Sequence, residues 1–279
     1  MNVAFLSPHF PPNWFRFVVG LRAAGATTLG IADASWDSLR PELRDALSDY
    51  YRVDDLANYD QLVRAIGWFI NRHGRIDRLD SLNEHWLETE AALRTDFNIT
   101  GIGQREIGSI KRKSLMKRRF LAAGLEPARG RVCRTPASLR GFIAEVGFPV
   151  VAKPDIGVGA ARTYKLEGEA DVERYLADKL PVDYIIEEYV AGEIMTYDGL
   201  VDRHGEVVFD STLIYSTGVM ESVNEARDLY YWIPRSVPEG IRELGQRMVR
   251  AFDLRERPFH FEIFQTPAGK LVPLEVNMR

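Results

Sequence analysis

A single cysteine, Cys133, among 279 residues leaves no partner for an internal disulfide. A reducing cytoplasm is the simplest setting for such a chain, and nothing around Cys133 marks it as a nucleophile. No apolar run reaches the roughly 20 residues that a membrane-spanning helix requires. Residues 1–7 have no basic start and too short an apolar stretch for a secretory signal. Basic charge is not in excess either: 36 Lys and Arg stand against 40 Asp and Glu, a formal net charge of −4. Nucleic acid and anionic membrane are therefore not expected partners. No G-x-G-x-x-G follows the first apolar run, which disfavours a dinucleotide site of the usual kind. Internal repeats and low-complexity stretches are absent as well.

Hydrophobic residues form 46% of the chain, enough for a sizeable core. The first hundred residues alternate strand and helix signals. Val3-Ala4-Phe5-Leu6, ended by Ser7-Pro8, reads as a buried strand. Asn13 is placed to cap a helix carrying Trp14, Phe17, Val18 and Leu21 and ending at Gly25. Residues 28–31 read as a second strand. Leu62, Ile66, Phe69 and Ile70 mark a helix closed by Gly74. This alternation predicts an α/β domain with a parallel sheet over residues 1–108. Asn83-Glu84-His85-Trp86-Leu87-Glu88 either lines a substrate cleft or starts a helix with Trp86 and Leu87 in the core; the helix is favoured.

Beyond residue 108 the pattern predicts α+β. A basic helix is expected over 109–123, and a Thr135-capped helix with Pro136 in its first turn runs to Val146. The basic positions 111–113 and 117–119 read as a solvated helix face, with one exception taken up below. Pro149-Val150-Val151-Ala152-Lys153-Pro154 is a strand that ends on a lysine. Its ammonium is directed towards whatever lies beyond the core. Asp155-Ile156-Gly157-Val158-Gly159-Ala160-Ala161 follows, and Gly157 and Gly159 permit backbone N–H groups to approach phosphate oxygens. A tight turn is an equal reading of that loop, and Arg162 either assists or is simply exposed. Asp202-Arg203-His204-Gly205 signals a hairpin, and a helix is expected over 238–252.

The last two strands, 259–264 and 270–276, carry the most informative pattern. With a four-residue turn at Thr266-Pro267-Ala268-Gly269, Gln265 pairs with Lys270 and Glu262 lies opposite Pro273. Side chains alternate along strands, so Glu262, Glu275 and Asn277 then share one face, with Glu275 diagonal to Glu262. Three oxygen-bearing side chains on one face suit a hard cation. A solvated face of an edge sheet is the alternative that the pattern leaves open. Phe259, Phe261, Ile263, Leu274 and Val276 supply a packed back to the sheet. His260, beside Glu262, is assigned to the opposite face and to a structural role.

Taken in order, these pieces resemble the ATP-grasp superfamily of carboxylate–amine and carboxylate–thiol ligases, with a carbamoyl-phosphate synthase or biotin carboxylase-like core. Lys113-Ser114-Leu115-Met116 leading to Ala123-Gly124 is similar to the segment carrying the first ATP-phosphate lysine, and the strand ending at Lys153 to that carrying the second. Residues 187–190 resemble the adenine hinge (Glu187, Glu188, Val190), and Glu193 the ribose-binding glutamate. Phe261-Glu262 and Leu274-Glu275-Val276-Asn277-Met278-Arg279 resemble the two metal-binding strands. The resemblance implies a pre-ATP-grasp domain over 1–108 and two ATP-grasp lobes over 109–191 and 192–279. It implies ATP and Mg2+ as cofactors, with Mn2+ as the alternative ion. It also implies small-molecule carboxylate and amine substrates, an acylphosphate intermediate, and a homodimer as the candidate assembly. Lys113 and Lys153 would hold the α- and β-phosphates, Glu262, Glu275 and Asn277 the metal, and Arg279 the transferring phosphoryl group or the acylphosphate. The family's chain continues past Asn-x-Arg, so a longer parent chain is expected here. An ATP-binding protein without turnover and an ATP-grasp phosphotransferase are the competing functions. Residues 216–235 are read as a segment over the site, with Arg227 as a candidate carboxylate binder.

Overall fold

The structure, a computed structural model, describes residues 1–157, 162–216, 228 and 230–278. The chain divides into two compact units, residues 1–107 and 108–278.

In the first unit, β1 (Asn2–Leu6), β2 (Thr27–Ala32), β3 (Asp49–Arg52) and β4 (Arg78–Asp80) form a parallel sheet in the order β3-β2-β1-β4. Alternation along β1 builds two cores from one strand. Ala4 and Leu6 join Leu62, Ile66 and Phe69 of α3 (Tyr59–His73) on one face. Val3 and Phe5 join Val18 of α1 (Phe15–Ala23) and Leu43 of α2 (Pro41–Ala46) on the other. The Asn58 side chain caps α3 by accepting from Gln61 N, and Gly74 closes it at φ +79°. The cap expected from Asn13 does not form. Trp14 occupies that position without a side-chain cap, because Phe17 N–H donates to the Trp14 carbonyl and Trp14 N–H to that of Pro11. Trp86 is half-buried and Leu87 is buried at the start of α4 (Leu87–Asp96), so residues 83–88 take the helical alternative.

The single helix expected over 109–123 is two. They are α5 (Gln104–Lys111) and α6 (Lys113–Ala122), separated by an extended Arg112 at φ −98°, ψ 115°. The break has a long-range cause. Asp155 receives the orphan donors of the α6 start: Lys113 N–H reaches its backbone oxygen at 2.9 Å and Ser114 N–H its Oδ1 at 2.8 Å.

The second unit holds two antiparallel sheets. The first runs β5-β8-β6-β7, from β5 (Gly130–Val132), β6 (Val150–Pro154), β7 (Tyr164–Leu166) and β8 (Tyr184–Glu188). Helices α7 (Pro136–Val146) and α8 (Glu169–Asp178) cover it through Phe142, Ile143, Val172 and Tyr175. The second contains β9 (Glu193–Val201), β10 (Val207–Ser211), β11 (Ile214–Tyr215), β12 (Tyr231–Trp232), β13 (Arg257–Gln265) and β14 (Leu271–Asn277). Its order is β12-β11-β9-β13-β14, with β10 also on β9. Helix α9 (Glu239–Ala251) lies close on this sheet because Gly245 lacks a side chain: a Cβ there would sit 1.9 Å from Tyr197 Cδ1.

Candidate functional site

Strands β13 and β14 do not pair as a four-residue turn would set them. Gln265 pairs with Leu271, so the connection is one residue off the expected register. A bulge between Glu262 and Ile263 then shifts the register again. Two one-residue shifts restore parity. Glu262 stands directly opposite Glu275 rather than diagonal to it, and His260 opposite Asn277. The face expected for His260 is therefore wrong. Positions 260 and 262 are two apart on a regular stretch and share a face. Its Nδ1 lies 2.6 Å from Asp198 Oδ1 and its Nε2 3.6 Å from Glu262 Oε1. Burial works to lower the imidazole pKa, but Asp198 and Glu262 outweigh it and carry it up to about 9.

The edge of β14 meets α6, where Val276 N–H donates to Met116 Sδ at 3.2 Å. That contact brings Lys113 to the carboxylates. Its Nζ lies 3.1 Å from Glu275 Oε1 and donates to the Gly157 carbonyl at 2.9 Å. Lys153, at the end of β6, reaches Glu187 Oε2 at 2.9 Å. Lys117 takes the other oxygen of Glu187 at 3.0 Å, and its Nζ donates to the Ala128 carbonyl at 2.7 Å. These groups are nearly closed to solvent: Lys113 is 7% exposed, Lys117 5%, Lys153 9% and Glu187 4%.

Burial works against the Glu187 carboxylate, yet Lys117 and Lys153 together bring its pKa down to about 2. Burial likewise opposes the Lys153 ammonium, but Glu187, Glu275 and Glu262 hold its pKa above the ordinary lysine range. For Lys117 burial wins over Glu187 and the pKa falls. Glu275 goes up, through burial first and the like charge of Glu262, against the pull of Lys113 and Lys153.

Two facing carboxylates with an amide nearby on the same strand form an all-oxygen donor set carrying two negative charges. Such a set fits a hard divalent cation that keeps waters and phosphate oxygens as its other ligands. The strain that raises the Glu275 pKa is the kind a cation between the carboxylates relieves. Among the described residues no three or more His, Cys, Asp or Glu side chains are grouped to hold a metal.

Residues 146–279 match the family model described as the ATP-grasp domain. The chain carries an ATP-grasp domain. It is 24% identical over 238 residues to the L-arginine-specific L-amino acid ligase of Bacillus subtilis, covering 82% of this chain and 57% of the relative. It is 28% identical over 285 residues to the carbamoyl phosphate synthase large chain of Mycobacterium sp. (strain JLS), covering 93% of this chain and 24% of the relative. The chain thus spans little more than half of the first relative and a quarter of the second. The fold is also that of solved ligase and carboxylase structures. The L-amino acid ligase of Bacillus licheniformis superposes with a TM-score of 0.73 at 16% identity, over 100% of this chain and 66% of that one. The biotin carboxylase domain dimer of Hydrogenobacter thermophilus 2-oxoglutarate carboxylase, in complex with MgADP, gives 0.72 at 16%, over 100% of this chain and 64% of that one.

The remaining expected residues of the ATP-grasp domain fall into four groups. Glu188 uses its carboxylate on Arg129 (Arg129 Nε to Oε2, 2.6 Å) and its N–H on the Arg129 carbonyl at 2.9 Å, so neither is available to an adenine edge. Val190 is half-buried just after β8, and Glu193 is exposed at the start of β9, across from Gln265. Arg162 pairs with Asp178 at 3.2 Å. Gly159, Arg227 and Arg279 lie outside the described residues. Lys117 and Asp155 were missed by the sequence reading. Lys117 reads in the sequence as part of a solvated face, yet it stands one helical turn after Lys113, and that i, i+4 spacing is the signal that puts both on one side of α6.

Proposed function

We propose that this ATP-grasp domain serves an ATP- and magnesium-dependent ligase that joins a carboxylate to an amine. The observation that carries the reading is the direct opposition of Glu262 and Glu275, with Lys113 on one of them and Lys153 within electrostatic reach. In this reading Lys113 and Lys153 neutralise the α- and β-phosphates of ATP, and Gly157 and Gly159 let backbone N–H groups approach them. Val190 offers backbone to the adenine, beside Glu187, and Glu193 meets the ribose. Glu262, Glu275 and Asn277 would hold Mg2+, or Mn2+ in its place, which would supply charge neutralisation at the phosphates.

The substrate carboxylate oxygen attacks the γ-phosphorus, ADP departs, and an acylphosphate remains, with Arg279 assigned to its phosphoryl group. An amine then adds to the acyl carbon, loses a proton and expels inorganic phosphate. Little covalent chemistry falls to the protein, so positioning and charge carry the rate. Relatives named as amino acid ligase and carbamoyl phosphate synthase support small-molecule substrates. The dimeric biotin carboxylase domain supports a homodimer as the assembly. A screen of carboxylate and amine pairs for ADP release, with mass spectrometry for the amide, tests the reading. ADP and amide formed in equal amounts support it. A stable phosphorylated product without amide, or nucleotide binding with no turnover across the panel, overturns it.

A further inference from the structure

A cavity of about 720 Å³ opens among α6, β5 and α7 in the second unit. Its wall includes none of Lys113, Lys153, Glu262, Glu275 and Asn277. Six cationic side chains line it: Arg112, Lys117, Arg118, Arg129, Arg131 and Arg134. Only three acidic ones do, and each is engaged: Glu145 by Arg131, Asp183 by Arg134 at 2.7 Å, and Asp155 by Arg112 at 3.7 Å. Lys117 and Arg129 are answered by Glu187 and Glu188, which are not part of the wall. Arg118 is exposed, and its side chain makes no hydrogen bond or ion pair among the described residues. Apart from Ser114, whose hydroxyl donates to Asp155, the rest of the wall is mainly apolar, with Leu115, Leu121, Val132, Phe142 and Val146.

We propose that this cavity binds a small organic anion. Its apolar body would rest on Phe142 and Val132, and its carboxylate, sulfonate or phosphate group would face Arg118 and Arg112. A concave surface with a surplus of one charge focuses potential and concentrates ions of the other sign. Arg118 offers a planar fork of donors suited to two anionic oxygens, and nothing in the wall occupies it. The apolar half makes a bare inorganic ion a poor match, and the volume is that of a site for a drug-sized or nucleotide-sized molecule.

The test is a fluorescence titration of the full chain with 1-anilinonaphthalene-8-sulfonate, alongside its uncharged relative N-phenyl-1-naphthylamine. Saturable binding of the sulfonate is expected. It should weaken about tenfold or more in Arg118→Glu and fall with added salt, while the neutral dye binds at least about tenfold less tightly. Arg118 is exposed, so the variant should melt as the wild type does and bind ADP unchanged, which separates this cavity from the nucleotide site. Sulfonate binding unaltered by Arg118→Glu overturns the proposal, and so does equal binding of the neutral dye.

Discussion

Lys117 and Lys153 hold one carboxylate between them: their Nζ atoms lie 3.0 and 2.9 Å from the two oxygens of Glu187. Lys117 belongs to α6, Lys153 to β6 and Glu187 to β8, so the triad ties the helix that carries Lys113 to the strand that presents Lys153. Two cations on one anion leave positive charge beside Glu275 and Glu262. Removal of one partner from a buried ion pair costs about 3–5 kcal/mol, because the remaining charge is left uncompensated. Lys117→Met should lose stability on that scale in urea unfolding. An unchanged midpoint and slope would show that the triad holds nothing together.

The same triad sets an acid limit. The Glu187 pKa is about 2 in the folded chain against 4.5 ordinarily, so folding favours its ionised form. That contribution is fully present above pH 4.5 and drains away as the pH falls towards 2. Unfolding free energy measured from pH 6 to pH 2 should fall more steeply for the wild type than for Glu187→Gln, which has no such proton to take up. Equal slopes in that window would contradict the assignment.

Asp155 caps α6 from 41 residues away, taking Ser114 N–H at 2.8 Å and Ser114 Oγ at 3.0 Å. Loss of a capping side chain costs about 0.5–2 kcal/mol. Asp155→Ala should destabilise the chain by that amount, and Asp155→Asn, which keeps one carbonyl acceptor, by less. Denaturant unfolding of both variants checks the order; equal losses would point to the charge rather than the cap.

The strands and helices with strong periodicity were legible in the sequence: β1, α3, α7 and α9 stand close to where apolar spacing and caps put them. The short strands β3 and β4 were not, because three or four residues of mixed polarity carry no period. Glu262 and Glu275 could be placed on one face because side-chain parity survives two register shifts that cancel. Their direct opposition could not be read, since it depends on a bulge that no residue announces. Lys117 and the Glu90–Arg94 pair, buried in the first unit at 2.8 Å, were invisible for a common reason. A helical charge looks solvated until the partner that buries it is known, and for Lys117 that partner is 70 residues away. The break between α5 and α6 hid in the same way, behind an aspartate just past the end of β6.

The facing pair Glu262 and Glu275 is the centre of the account, and ADP formation by Glu275→Gln tests it most directly. Wild type and variant would be compared with Mg2+, ATP and a carboxylate–amine pair that the wild type joins, after a thermal melt shows both folded. Loss of one preorganised charge at a phosphoryl-transfer site is expected to lower the rate about a hundredfold or more. Glu275→Gln forming ADP at the wild-type rate would contradict the metal assignment and the ligase mechanism built on it.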